Sequence, residues 1–124
     1  MVEIPTSAPT RLCLVRHGET EWNAERRIQG QIDIGLNAHG VAQARAAGRW
    51  LRGAGITAIY SSDLSRAWTT AGHIGAALGV SPVAAPAMRE RRYGVFEGLT
   101  YAELKARHPA GYAAFEARDP EYAF

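Results

Sequence analysis

Lysine is almost missing from this sequence. Lys105 is the only one among fourteen basic residues, and all the others are arginine. Arginine offers a planar fork of donors that matches carboxylates and phosphates, so the bias favours anion recognition, although base composition of a genome produces the same bias. Twelve acidic residues bring the formal net charge to only +2. No long basic block stands out, which argues against general nucleic-acid binding. Cysteine is equally scarce: Cys13 alone allows neither a disulfide framework nor a zinc-binding spacing. It lies in an apolar run and reads as a core thiol in a reducing compartment. No apolar stretch approaches the length of a membrane span. The opening "MVEIPTSAPTR" has neither a basic start nor an apolar centre, so it does not read as a secretory signal. These absences leave a single cytoplasmic globular domain, free of membrane and nucleic acid, with enough apolar residues (47%) to build a core.

The pattern along the chain supports one organisation. Residues 1–10 read as a flexible leader, and residues 11–124 as the domain. Leu12–Val15 is a short unbroken apolar run, as expected of a strand covered on both faces. Residues 18–36 read as loop, with a short helical piece near Trp22. Asn37 is an N-cap candidate for a helix whose apolar residues are Val41, Ala44, Gly48 and Leu51. Ile56–Tyr60 reads as a second strand. "SSD" at 61–63 reads as the cap of a second helix, with inner face Ala67, Ala71, Ile74 and Leu78, closed by Gly79. Val80–Ala84 is a weaker strand, and Pro82 places it at a sheet edge. Thr100 and Glu103 form a capping-box pattern, and Tyr112 and Phe115 mark one more helix before Pro120. The alternation predicts an α/β fold, a three-layer sandwich with a mainly parallel sheet flanked by helices, truncated after about three strands.

Ligands of such folds sit beyond the carboxyl ends of the strands. Arg16 and His17 fall at the end of the first strand, and Arg66 begins the helix after the second. Two guanidiniums there would neutralise a phosphate dianion. A neutral imidazole is a competent nucleophile toward phosphorus if its other nitrogen is held as a donor. Gly18 allows a sharp turn against the ligand. Glu90 is the candidate proton donor, because like charge on a neighbouring phosphate favours the protonated carboxyl. Plainer readings stand beside these. Arg66 could neutralise Asp63, Glu90 could pair with Arg89 or Arg91, Asn23 could cap a turn, and Tyr93 could be core. Trp22, Trp50 and Trp68 read as packing residues.

Four stretches, "LVRHGETEWN", "GLNAHGVAQA", "YSSDLSRAWTTA" and "RERRYGVFEGLTYAEL", resemble in order the motifs of the histidine phosphatase superfamily, in its phosphoglycerate-mutase-like branch. The resemblance covers residues 12 to about 107. It implies a phosphohistidine on His17, phosphate clamps in Arg16 and Arg66, and proton donation by Glu90. It further implies substrate contacts from Asn23, Gln29, Gly30, Arg91 and Tyr93, a small phosphorylated substrate, and no metal or other cofactor. The segment around Phe96-Glu97-Gly98 leans towards the phosphatases rather than the mutases. Thr69 stands where a glutamine is common. The family's second histidine, on an apolar strand of its second half, has no counterpart in His39, His73 or His108. The domain is therefore expected to be incomplete at its C-terminus, with Leu12–Val15 left as an open edge or completed by strand exchange in a homodimer. Hydrolysis of phosphate monoesters is the leading expectation. Mutase activity and a non-catalytic phosphate-binding fragment are the alternatives.

Overall fold

The computed structural model describes residues 9–124, so most of the expected leader lies outside the described residues. The fold is α/β, with a small parallel sheet flanked by helices. Thr20 opens helix α1 (Glu21–Ala24) with a capping box closed by Asn23. Asn37 caps helix α2 (Ala38–Trp50) by accepting from the Gly40 amide at 2.8 Å. Strand β1 (Tyr60–Ser61) leads into helix α3 (Ser65–Leu78), and strand β2 (Val83–Ala84) returns parallel to β1, pairing Tyr60 with Val83 and Ser61 with Ala84. A right-handed 3₁₀ turn at Pro86–Met88 and another at Gly94–Phe96 carry the charged segment to helix α4 (Tyr101–Arg107) and helix α5 (Pro109–Glu116). The expected Thr100–Glu103 capping box opens α4.

Helices α2 and α3 pack on each other through small residues. A Cβ on Gly48 would crowd the Ala77 side chain and the His73 carbonyl, so the helices can approach this closely only with glycine there. The second packing centre is Ile28, Phe96 and Leu104, enclosed by Tyr93, Leu99, Tyr112, Phe115, Tyr122 and Phe124. The loop 27–31 is laid along the segment 97–100. Ile28 N–H donates to the Leu99 carbonyl at 2.9 Å, and Gly98 N–H donates to the Ile28 carbonyl at 2.7 Å. Arg27 and Thr100 form an antiparallel bridge beside them.

Several expectations need correction. Leu12–Val15 makes no ladder among the described residues, and Leu12 and Leu14 are 84% and 92% exposed. A strand is buried by its neighbours, and none of the described segments lies along this one. Cys13 is accordingly exposed rather than core. The two paired strands are shorter than the apolar runs that predicted them. The start of α3 is not capped by "SSD" at its first amides: Ser62 Oγ accepts from Leu64 N–H at 3.2 Å, but Asp33 accepts both Ser65 N–H at 2.7 Å and the Ser65 hydroxyl at 2.8 Å. The buried face of α3 is Arg66, Thr70, Ala71, Ile74 and Gly75, so Ala71 and Ile74 match the predicted stripe while Ala67 and Leu78 are only half-buried. Trp50 and Trp68 are exposed rather than packed.

Candidate active site

His17 sits on a loop whose backbone polar groups are held almost one by one. Gly18 N–H donates to Thr70 Oγ1 at 3.0 Å, and the Thr70 hydroxyl donates to the Arg66 carbonyl at 2.7 Å, which ties the loop to α3. Glu19 N–H donates to Gln43 Oε1 at 2.9 Å, and the Glu19 carbonyl accepts from Asn37 N–H at 2.9 Å, which ties it to α2. The loop can come this close because Gly18 meets Gly40. A Cβ on either glycine would fall on the other segment's backbone.

The imidazole itself has a fixed tautomer. His17 Nδ1 lies 2.7 Å from the Gly18 carbonyl oxygen. A carbonyl can only accept, so Nδ1 carries the proton and Nε2 keeps its lone pair. Burial lowers the pKa of His17 below the ordinary 6.5, and the nearby charges of Arg66 and Arg16 lower it further. The Gly18 carbonyl and the Glu90 carboxylate act in the opposite direction, with the lowering dominant. The ring is thus neutral and nucleophilic at neutral pH.

Arg66 is almost wholly buried, at 2% exposure. Its two terminal nitrogens donate to the Ile32 carbonyl at 2.9 Å and the Gly30 carbonyl at 2.6 Å. Burial lowers its pKa, and Glu90, Asp33 and Glu97 offset part of that effect. A guanidinium has five N–H bonds, so the fork is anchored with donors left over for an anion. The surface reading of Arg66 is excluded, because Asp63 pairs with Arg89 instead, through Nε at 2.6 Å and a second nitrogen. Arg16 is exposed and makes no ion pair among the described residues, and its charge reaches His17.

Glu90 is exposed at the start of the charged segment, and its carboxylate accepts from the Arg91 backbone N–H at 2.7 Å. It does not pair with the side chain of either neighbouring arginine. Arg89 faces Asp63, and Arg91 donates to the carbonyls of Asp119 at 3.2 Å and Tyr122 at 2.7 Å. The carboxylate's charge acts on both His17 and Arg66. The charges of Arg66, Arg16 and Glu90 all act on His17.

The other residues expected at the site divide into two sets. Gln29 and Gly30 lie in the loop that holds Arg66. Gln29 Oε1 accepts from the Thr20 hydroxyl at 2.6 Å, and the Gly30 carbonyl is one of the Arg66 acceptors. Asn23 uses its carbonyl oxygen in the α1 capping box, accepting from Thr20 N–H at 3.0 Å. Arg91 and Tyr93 are turned elsewhere. The Arg91 guanidinium stacks on Phe124, 4.5 Å from the ring centroid, and Tyr93 meets Phe115 and Phe124 edge-on. Both belong to the aromatic cluster around the last residues, where they line a cleft of about 470 Å³ with Phe115, Arg118 and Phe124. Desolvation raises the Tyr93 pKa there.

A cleft of about 270 Å³ opens beside His17 and runs along Gln43, Ala44 and Ala47 to Thr70. Arg16 and Gly18 complete its walls, and Arg66 and Glu90 are not among them. Among the described residues, no group of three His, Cys, Asp or Glu side chains is gathered as a metal site, and no helix is long and apolar enough to cross a membrane. Sequence reasoning missed Thr70, Gln43, Asp33 and Glu97, whose roles depend on partners 24 to 66 residues away. Gln43, Thr70 and Glu97 lie within the motif stretches, whereas Asp33 lies outside them and carried no signal.

The family described as the histidine phosphatase superfamily (branch 1) matches residues 12–124, further than the motifs alone reach. Phosphoglycerate mutase-like protein 4 of Arabidopsis thaliana is 45% identical over 108 residues, covering 86% of this chain and 47% of the relative. An uncharacterized phosphatase of Bacillus subtilis is 42% identical over 100 residues, covering 81% of this chain and 52% of the relative. A mycobacterial glucosyl-3-phosphoglycerate phosphatase, solved in complex with VO3, superposes with a TM-score of 0.76 at 37% identity, over 80% of this chain and 47% of that one. The chain spans about half the length of the relatives it matches.

Proposed function

The chain belongs to the histidine phosphatase superfamily, and on that premise we propose that it carries the phosphohistidine half of a phosphoryl-transfer site, acting on small phosphate monoesters. The observation that carries this reading is the locked tautomer of His17 within the field of two arginines. The Nε2 lone pair attacks phosphorus, and the ester P–O bond breaks. Arg16 and the anchored Arg66 stabilise the charge on the non-bridging oxygens. Glu90 gives its proton to the leaving oxygen. Water then attacks the phosphohistidine, Glu90 takes the water's proton, the P–N bond breaks, and His17 returns to its neutral form. Asn23, Gln29 and Gly30 line the approach, whereas the Arg91 and Tyr93 side chains are taken up by the aromatic cluster. No step needs a metal or a second cofactor.

Hydrolysis is favoured over mutase chemistry by the Phe96-Glu97-Gly98 segment and by the likeness to a solved phosphatase. The mutase reading draws on the Arabidopsis relative's name. Turnover of p-nitrophenyl phosphate by this chain, with His17→Ala beside it, tests the proposal. The expected result is turnover and acid-labile phosphate on His17 in the parent only, without 2,3-bisphosphoglycerate. Dependence on 2,3-bisphosphoglycerate would support the mutase. Equal rates for parent and variant, with no trapped phosphate, would mean a non-catalytic chain.

A further inference from the structure

One carboxylate outside the group around His17 joins the two segments on which that group depends. Glu97 Oε1 accepts from Gln31 N–H at 2.9 Å and from Tyr93 N–H at 3.1 Å. The first bond fixes the loop whose Gly30 and Ile32 carbonyls hold Arg66. The second fixes the segment that begins with Glu90. A third link runs between the same two segments, where the Gln31 side-chain amide donates to the Glu90 carbonyl at 3.1 Å. The packing is shaped for this contact. Gly30 has φ +54°, and a Cβ there would fall on Glu97 Oε1, so the loop accepts the carboxylate only because residue 30 is glycine.

We propose that Glu97 is a positioning residue for phosphoryl transfer: one carboxylate oxygen sets the loop that anchors Arg66 and the segment that carries Glu90, and so fixes clamp and acid relative to each other. Hydrogen bonds from backbone N–H to an ionised acceptor are stronger than neutral ones, which suits a joint that must not drift. The Glu97 charge also reaches the Arg66 guanidinium and favours its charged form. The inference rests on the roles proposed above for Arg66 and Glu90.

The test uses the ¹⁵N-labelled chain and does not depend on turnover. In Glu97→Ala, the Gln31 and Tyr93 amides are expected to exchange about tenfold faster, as the loss of a charge-assisted bond would produce. Loosening of Arg66 removes one of the charges that lower the His17 pKa, so the His17 titration midpoint is expected to rise. Amides of Ala44 and Ile74, in the α2–α3 pair, are expected to stay unchanged. Glu97→Gln keeps a carbonyl oxygen in place and is expected to restore most of the protection. If Glu97→Ala does not fold, Glu97→Asp is read instead: it keeps the charge but is too short to reach both amides, so the same changes are expected. Faster exchange throughout the chain, or an unmoved His17 midpoint, would overturn the proposal. Failure of the phosphoryl-transfer reading shows separately, as absence of phosphohistidine in the parent chain.

Discussion

At the scale of the residue, His17 makes a pH dependence that can be worked out in sign. Its folded pKa lies below the ordinary 6.5, chiefly because burial disfavours the charged ring. Between the two values the unfolded chain binds more protons than the folded one, so stability rises with pH there. The contribution of His17 is therefore complete above about pH 6.5 and is lost as pH falls through its lowered folded value. We expect the imidazole midpoint, followed by NMR, to lie below the ordinary 6.5. We also expect His17→Ala to flatten the denaturation midpoint across that window. A midpoint for His17 at or above 6.5 would contradict the burial argument. Single residues were unevenly legible in the sequence. The motifs singled out Arg16, His17, Arg66 and Glu90, although the strand expected to end at Arg16 makes no ladder among the described residues. Arg91 did not follow: its fork is taken up by the Asp119 and Tyr122 carbonyls, and nothing near Arg91 in the sequence announces that fold-back.

At the scale of the element, caps divide into those made locally and those made across the chain. Asn37 and the Thr100–Glu103 pair act within three residues of their targets, so the sequence pattern was enough. The α3 terminus is served by Asp33, which is 32 residues away from Ser65, and the nearby "SSD" offered a local alternative that the fold uses only in part. Hydrogen bonds from Ser65 lower the Asp33 pKa, its amide first and its hydroxyl second. Its contribution is thus present above the unfolded value of 3.8 and is lost as pH falls through the lowered folded value. We expect Asp33→Ala to cost about 1 kcal/mol in urea denaturation, the usual worth of an N-terminal cap, and Asp33→Asn to cost less. Because the same loop carries the Ile32 carbonyl, Asp33→Ala is also expected to weaken binding of inorganic phosphate more than Asp63→Ala does. Equal effects of the two substitutions would mean that the cap has no bearing on the Arg66 anchor.

At the scale of the whole molecule, the least legible feature was the fate of Leu12–Val15. Its composition is right for a strand, and the later alternation β1–α3–β2–α4 was read correctly from period and caps. Burial of a strand is decided by neighbours elsewhere in the chain, however, and composition cannot supply them. The result is an exposed row in which Leu12 and Leu14 stand in solvent, with Val15 about half exposed beside them at 45%. Extended backbone without a ladder partner and with apolar side chains is a template for pairing with another chain. We expect concentration-dependent association in sedimentation velocity, and we expect Leu12→Ser with Leu14→Ser to abolish it while leaving far-UV circular dichroism unchanged. Cys13 lies within the same row and is exposed, so it reports the contact directly. Its reaction with a thiol reagent should be fast in dilute solution and slow at high concentration, and in the double variant it should be fast at both. A monomer at every concentration, with a uniformly fast Cys13, would show that the row stays in solvent without recruiting a second chain.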